Sequence, residues 1–349
     1  VYLKAVTFNK KLIITICVVA VMLLVFPHIQ FGLSDYVLSV LTQALLFIYL
    51  ANSWNILSGF TGMFSLGHAS FFGIGAYACA IMTVQVALPG LGDVQRYMLG
   101  IAAGIVLSMI LAFVVGWIAT KLKGLFFAMT TLAMAEVLRT FSLQAKFTNG
   151  NLGIIIPPSL SVGPMASYYI ILAMCGLAFL FTWHLKNSRT GRMLISIREN
   201  ENLAASLGVN VTKWIYVSVF ISALLATLGG AYYPLYLSHI EPTATFDYSI
   251  TMQMMIVCIA GGKGSVLGPV LGGVAILLNE AIRATLTKFS GGATSYASIA
   301  GLLYGIVLLL IILFMPDGLI SLRSSIRKFR DDRRKKQKEA LAKANAKIS

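Results

Sequence analysis

Charge is scarce in this sequence. Only 11% of its 349 residues are Asp, Glu, Lys or Arg, less than half of the roughly 25% usual in soluble domains. With 58% hydrophobic residues and a mean hydropathy of +0.84, too few polar side chains remain to clothe a soluble core. Disordered, collagen-like and coiled-coil readings fail on the same figures. Cysteine is sparse as well: Cys17, Cys79, Cys175 and Cys258 each sit in an apolar run, no two at short spacing. That excludes a disulfide framework or a Cys-based metal site and leaves small apolar packing residues. The histidines His28, His68, His184 and His239 form no i, i+4 pair, so no metal centre is expected. A Gly-x-x-x-x-Gly-Lys-Ser/Thr phosphate loop is missing too, so the chain is not expected to use ATP itself. Gly261-Gly-Lys-Gly-Ser265 mimics that motif only superficially, with the wrong spacing and in a membrane setting.

What is present is a series of apolar runs near the ~20 residues that a helix needs to cross a bilayer. They are Leu12–Phe26, Tyr36–Leu57, Phe60–Leu88, Tyr97–Thr120, Gly124–Leu143, Tyr168–Leu185, Trp214–Leu237, a short Ile250–Ala260, Val266–Ile282 and Ser298–Met315. No small-residue cleavage site follows the first, which reads as a retained anchor. The fold class is therefore an all-α integral membrane protein, a polytopic helical bundle of about ten transmembrane helices. Eight crossings result if two glycine-broken segments dip in and return. Gly100/Gly104, Gly268/Gly272 and Gly301/Gly305 have the four-residue spacing of close helix packing.

The cations give the orientation, because short cytoplasmic loops collect Lys and Arg. Lys4, Lys10 and Lys11, then Lys121 and Lys123, then Lys186, Arg189, Arg192, Arg198 and Lys213, and finally the tail mark the inner side. Both termini are then cytoplasmic. The net charge of +15 is concentrated in that tail, where 323–349 carries eleven cations against three acids. With no folded face of interleaved aromatics and no recognition motif this is no nucleic-acid footprint; it reads as a tail lying near anionic membrane lipid. The domain expectation is a membrane domain over 1–322, with a cytoplasmic loop at 186–213 inside it, followed by the basic tail.

Two stretches depart from plain lipid-facing helix. Gly59–Gly75 contains Gly62, Ser65, Gly67, His68 and Ser70; Gly261–Gly273 contains Gly262, Gly264 and Ser265. Glycine-interrupted segments of this kind point to a transport pathway, or they only permit tight turns at the inner face. Glu136 and Glu280 stand in apolar runs, each with an Arg three residues on, Arg139 and Arg283. Such acids are paired for structure or line a cavity; Thr130 and Thr131 would extend a polar stripe beside Glu136. Between Ser188 and Val209, apolar residues recur at helical spacing and Gly208 supplies a stop. This amphipathic element either rests on lipid or docks a soluble partner.

These landmarks, in this order, resemble the ABC-type branched-chain amino-acid permeases, the LivH/LivM-like family that also includes urea-importer permeases. Asn52–Tyr77 is similar to its Ser-Leu-Gly-His…Phe-Phe-Gly-Ile-Gly-Ala-Tyr block, and Gly124–Arg139 to its Thr-Leu-Ala…Glu…Arg segment. Gly191–Asn210 resembles the loop that docks on ATPase subunits, while Gly261–Gly268 and Pro316-Asp-Gly-Leu319 complete the series. The resemblance covers about 36–322 and is nearer the LivM-like branch. Thr148–Gly153, Pro157-Pro158 and Lys263 depart from the family pattern.

The resemblance implies a non-enzymatic permease subunit in the bacterial inner membrane, forming half of an alternating-access pathway. Its implied partners are a second, LivH-like permease, two cytoplasmic ATP-binding subunits that use ATP and Mg, and an extracytoplasmic binding protein. No cofactor is expected on this chain. Branched-chain or other hydrophobic amino acids lead as substrate, with urea or short amides behind. Arg192, Arg198, Glu199, Glu201, Ala204, Ala205, Leu207 and Gly208 would form the coupling element. A different class of reading, an ion-coupled secondary transporter, would have Glu136 and Glu280 carry a proton or cation.

Overall fold

The computed structural model describes residues 35–86, 90–289, 301–303, 305, 306, 309, 310, 313 and 318–321. The apolar run Leu12–Phe26, most of Ser298–Met315 and the tail 323–349 lie outside the described residues.

Among the described residues six helices are long and apolar enough to cross a membrane. Helix α1 (Asp35–Trp54) continues through a π-helical segment, Asn55–Phe60, and is followed by α2 (His68–Val84), α3 (Asp93–Lys121) and α4 (Gly124–Gln144). Then come α5 (Pro164–Asn187), α6 (Arg189–Glu199), α7 (Glu201–Ser206) and α8 (Val211–Leu237). A one-turn α9 (Pro242–Thr245), α10 (Tyr248–Gly261) and α11 (Gly268–Phe289) complete the set.

The helices pack in two groups. Helices α2, α3 and α8 form one; α1 lies against α5, α10 and α11 in the other, and α1–α8 contacts join them. From Ala44 onward α1 and its π-helical extension are enclosed: Leu45, Leu46, Leu50, Ala51, Trp54, Ile56, Leu57 and Phe60 are all buried. Small residues set the close approaches, as the sequence spacing predicts. Gly100 and Gly104 lie against the backbone and side chains of α2, and Gly272 against Val257 in the α10–α11 hairpin. Around Gly301 and Gly305 a Cβ would meet nothing among the described residues.

The apolar run Phe60–Leu88 is interrupted where its first glycines fall: 61–67, holding Gly62 and Gly67, is non-helical, and α2 starts at His68 and runs unbroken through Gly73 and Gly75. The polar and glycine residues of 61–67 trade intrahelical bonds for side-chain ones, as described below.

Turn chemistry explains the joins. Ser188, Asn200 and Asn210 each cap the following helix, accepting from Gly191, Leu203 and Lys213 backbone N–H at 3.2, 3.0 and 3.0 Å. The short α6–α7 pair is thereby fixed at the end of the bundle that also carries Lys121, Lys123 and Lys186, the basic end. At the opposite end Ile154–Ile155 pairs antiparallel with His239–Ile240. Two strands of two residues escape sequence patterning, but they tie the α4–α5 connection to the α8–α9 connection.

Candidate functional site

The π-helical segment Asn55–Phe60 brings the end of α1 to the basic end, and the turn after α10 arrives beside it. Asn55, fully buried, joins them: its Nδ2 donates to the Ser265 carbonyl at 2.8 Å, and its Oδ1 accepts from Gly264 N–H at 2.7 Å. Cys258 Sγ also approaches Oδ1, at 3.4 Å. The two glycine-rich stretches that stand 200 residues apart in the sequence are thus a single bonded unit. Single-turn π segments recur at functional sites because they re-aim carbonyls and side chains that a regular helix would hold inward.

Two cations close on this unit and complete what is here termed the clasp. Arg198, near the end of α6, donates through Nη1 to the Gly59 carbonyl at 2.9 Å. Lys186, at the end of α5, donates to the Gly264 carbonyl at 2.9 Å, with its ammonium 5.9 Å from the Phe60 ring centroid. Free carbonyls at a helix C-terminus attract cations, and a charged donor strengthens each bond. Gly264 has φ +74°, and a Cβ there would strike the Arg198 guanidinium, so glycine is required twice over. Gly62 also sits under Arg198, whose Cγ lies 3.1 Å from where its Cβ would be.

A second knot lies deeper. Ser222 Oγ donates to the Ser53 carbonyl and Ser53 Oγ to the Ser222 carbonyl, both at 2.8 Å. Since the Ser222 proton is so committed, its oxygen accepts from His68 Nε2, 2.7 Å away; His68 Nδ1 faces Ser65 Oγ at 3.2 Å. Trp54 Nε1 donates to the Ser65 carbonyl at 2.9 Å, and Ser58 Oγ to the Met63 carbonyl at 2.9 Å. Thr131 Oγ1 accepts from Leu66 N–H at 3.0 Å and Thr251 Oγ1 from Ala69 N–H at 2.9 Å. Every one of these partners is buried, or nearly so. Backbone groups of the irregular 61–67 segment are therefore bonded by side chains of α1, its π-helical extension and α4, while α10 bonds the first turn of α2 and α8 holds the His68 ring; such pairing is what membrane depth demands.

The sequence-derived pathway residues fall into three places. Ser65, Gly67, His68 and Ser70 are buried in the knot, with Ser70 Oγ lacking a hydrogen-bond partner among the described residues. Gly62, Gly262, Gly264 and Ser265 belong to the clasp, where Ser265 Oγ also caps α11 by accepting from Gly268 N–H at 2.7 Å. Thr130 bonds back to the Phe126 carbonyl at 2.8 Å on α4, and Glu136 is exposed on the same helix. Thr131 does not extend a polar stripe beside Glu136, because it faces the knot from the other side of α4.

The coupling residues also separate. Arg198 turns inward to the clasp while pairing with Glu199 at 2.6 Å. Glu201 pairs with Lys123 of the α3–α4 turn at 2.8 Å, and Arg192 donates to the Asn187 carbonyl at 2.9 Å. Ala204 is buried; Ala205, Leu207 and Gly208 are exposed, Gly208 with φ +85°. Leu203 and Leu207 stand 59% and 77% exposed at the tip of the loop. Sequence reading missed Asn55, Ser222 and the inward reach of Lys186; an amide in an apolar run and a lysine closing a span were the available signals.

A multi-pass membrane protein whose broken helices are held by a loop at one end has the architecture of a transport subunit. The chain belongs to the family described as "Branched-chain amino acid transport system / permease component", which matches residues 36–312. It is 29% identical to the probable branched-chain amino acid transport permease protein LivM of Methanocaldococcus jannaschii, over 62% of this chain and 67% of that protein. It is 23% identical to the LivM permease of a high-affinity branched-chain amino acid transport system in Salmonella typhimurium, covering 83% and 71%. To the LivH permease of Escherichia coli it is 22% identical, covering 78% and 90%. No solved structure matches it significantly.

Proposed function

We propose that this chain is one of the two membrane halves of an ATP-driven importer of branched-chain or similar apolar amino acids. It acts beside a second permease, two cytoplasmic ATP-binding subunits that use ATP and Mg, and an extracytoplasmic binding protein. In this reading the basic end is cytoplasmic, the host membrane is the cytoplasmic membrane, and both termini lie inside. The observation that carries the reading is the clasp. A partner pressing on the α6–α7 loop moves Arg198 directly, and with it the Gly59 carbonyl of one broken segment. Through Asn55 the same displacement reaches Gly264 and Ser265 of the other. Force applied at a solvent-exposed loop thus reaches the first interrupted segment through the charge-assisted Arg198 bond and the second through the buried Asn55 bonds, without crossing a lipid-facing surface.

The ion-coupled alternative gains no support from the geometry. Glu136 is paired with Arg139 at 2.8 Å and Glu280 with Arg283 at 3.1 Å, and Tyr36 Oη also donates to Glu280 at 3.2 Å. Proteoliposomes holding all subunits are expected to accumulate leucine only with ATP and binding protein, and liposomes holding this chain alone to accumulate none. Concentrative uptake by the lone chain under an imposed proton or sodium gradient would overturn the proposal.

The loop tip offers a second test. Burying a leucine at an interface contributes about 1.5–3 kcal/mol, so Leu207→Asp is expected to lower binding-protein-stimulated ATP hydrolysis about tenfold or more. Leu203→Asp should act in the same direction. Full stimulation in both variants would remove the loop from the docking surface.

A further inference from the structure

The outer stripe of α4 is chemically divided. Leu125, Met129, Glu136 and Thr140 follow one another at intervals of four, seven and four residues, which places them on one line of the helix. Beside that line Phe126, Val137 and Phe141 are also exposed. Glu136 lies about 18 Å of helical rise from Gly124 and about 12 Å from Gln144, well inside the membrane-crossing length. Its side chain is 55% exposed, and that of Arg139 is 29% exposed. A carboxylate at such depth is strongly disfavoured against lipid, and a helix needing only stability would carry Leu there. The ion pair also leaves its guanidinium under-used. Of five donors, Nη1 bonds Glu136, while Nε is buried with no hydrogen-bond partner among the described residues. The other face of α4 is fixed to the knot: Thr131 holds Leu66 N–H, and a Cβ on Gly67 would lie 2.5 Å from the Thr131 carbonyl. Motion of the broken segment therefore moves α4.

Resting on the importer reading, we infer that the exposed face of α4 carries a transient site for the zwitterionic end of an α-amino acid. Glu136 receives the ammonium and Arg139 the carboxylate, and the apolar side chain lies along Met129 and Val137. Each charge of the ligand meets an opposite charge already present, so the ligand substitutes for the internal pair rather than adding an uncompensated one. No bond is made or broken; the ion pair opens and closes around the cargo. The site names what the clasp would move: a helix whose mobile face suits an amino acid and offers nothing particular to a neutral amide or a sugar.

The test uses the complete transporter in proteoliposomes with labelled leucine. Glu136→Gln is expected to slow uptake at least tenfold while binding-protein-stimulated ATP hydrolysis stays within twofold of the parent, and Glu136→Asp to recover part of the rate. In parallel, Val137→Cys, which adds an exposed thiol beside the pair and leaves Glu136 and Arg139 in place, is treated with a charged, membrane-impermeant thiol reagent. Labelling above the parent's background that leucine slows supports the site. Labelling that leucine leaves unchanged means a wet face without a ligand site and overturns the inference. No labelling means that lipid or the partner permease covers the face, and overturns it equally. If Glu136→Gln transports normally in a complex whose parent transports leucine, this inference alone fails. If the parent complex accumulates no leucine, the importer reading fails and takes the inference with it.

Discussion

Arg198→Met is expected to uncouple the transporter: leucine uptake falls about tenfold or more while stimulated ATP hydrolysis persists. Methionine keeps much of the aliphatic stem that covers Gly62 and loses the donor to the Gly59 carbonyl. A hydrogen bond from a charged group contributes about 1.5–3 kcal/mol, and each 1.4 kcal/mol is about tenfold in an equilibrium between two arrangements of the loop. Lys186→Met should act in the same direction through the Gly264 carbonyl, and the double variant should lose nearly all uptake. Because both bonds join one rigid unit, their effects should not simply add. Arg192→Met is the control: it lies on the same short helix, and its guanidinium bonds the Asn187 carbonyl outside the clasp. Its uptake should stay within about twofold, on the order expected for an exposed side chain. A merely structural role for Arg198 would lower the amount of assembled complex and reduce hydrolysis and uptake in proportion; that result, or unchanged uptake, would overturn the force path.

Much of this was legible in the residues. Apolar run length set the spans to within a few residues at α3, α4, α5 and α8, because a lipid-exposed helix must be apolar throughout its length. Glycine and serine clusters correctly marked where helix stops, since only such residues tolerate φ above zero or bond backbone groups locally. The meeting of the two clusters was not legible. It depends on Asn55, one amide within an otherwise apolar run, whose partners lie 209 and 210 residues away. Nothing in local spacing encodes a contact of that range. For the same reason Ser65 and His68 could be recognised as unusual but not assigned to a knot. A buried serine bonded to a distant serine has the same sequence signature as one facing water. Glu136 illustrates the opposite case. Its depth and its Arg139 partner follow directly from helical spacing, whereas its exposure required the packing of α4 against Gly67 to be known.

Asn55→Leu is expected to be the most damaging single replacement at the basic end. Leucine matches the side chain in shape and fills the buried space, so the effect isolates polarity. It strands the Gly264 N–H and the Ser265 carbonyl, both of which Asn55 satisfies. Each stranded buried group costs about 1–3 kcal/mol, so a loss on the order of 2–6 kcal/mol is expected, a large fraction of the roughly 5–15 kcal/mol that holds typical proteins folded. The melting temperature of the detergent-solubilised complex should fall by several degrees and uptake should be lost. Asn55→Asp discriminates the two bonds. The carboxylate still accepts from Gly264 N–H but cannot donate to Ser265, and it brings an unpaired charge into a fully buried position. It should therefore destabilise too, with the loss easing as falling pH protonates the acid and restores a donor. A leucine variant that melts within about one degree of the parent and transports normally would show that the glycine segments hold each other without the amide. The route from loop to second segment would then have to run through Lys186 alone.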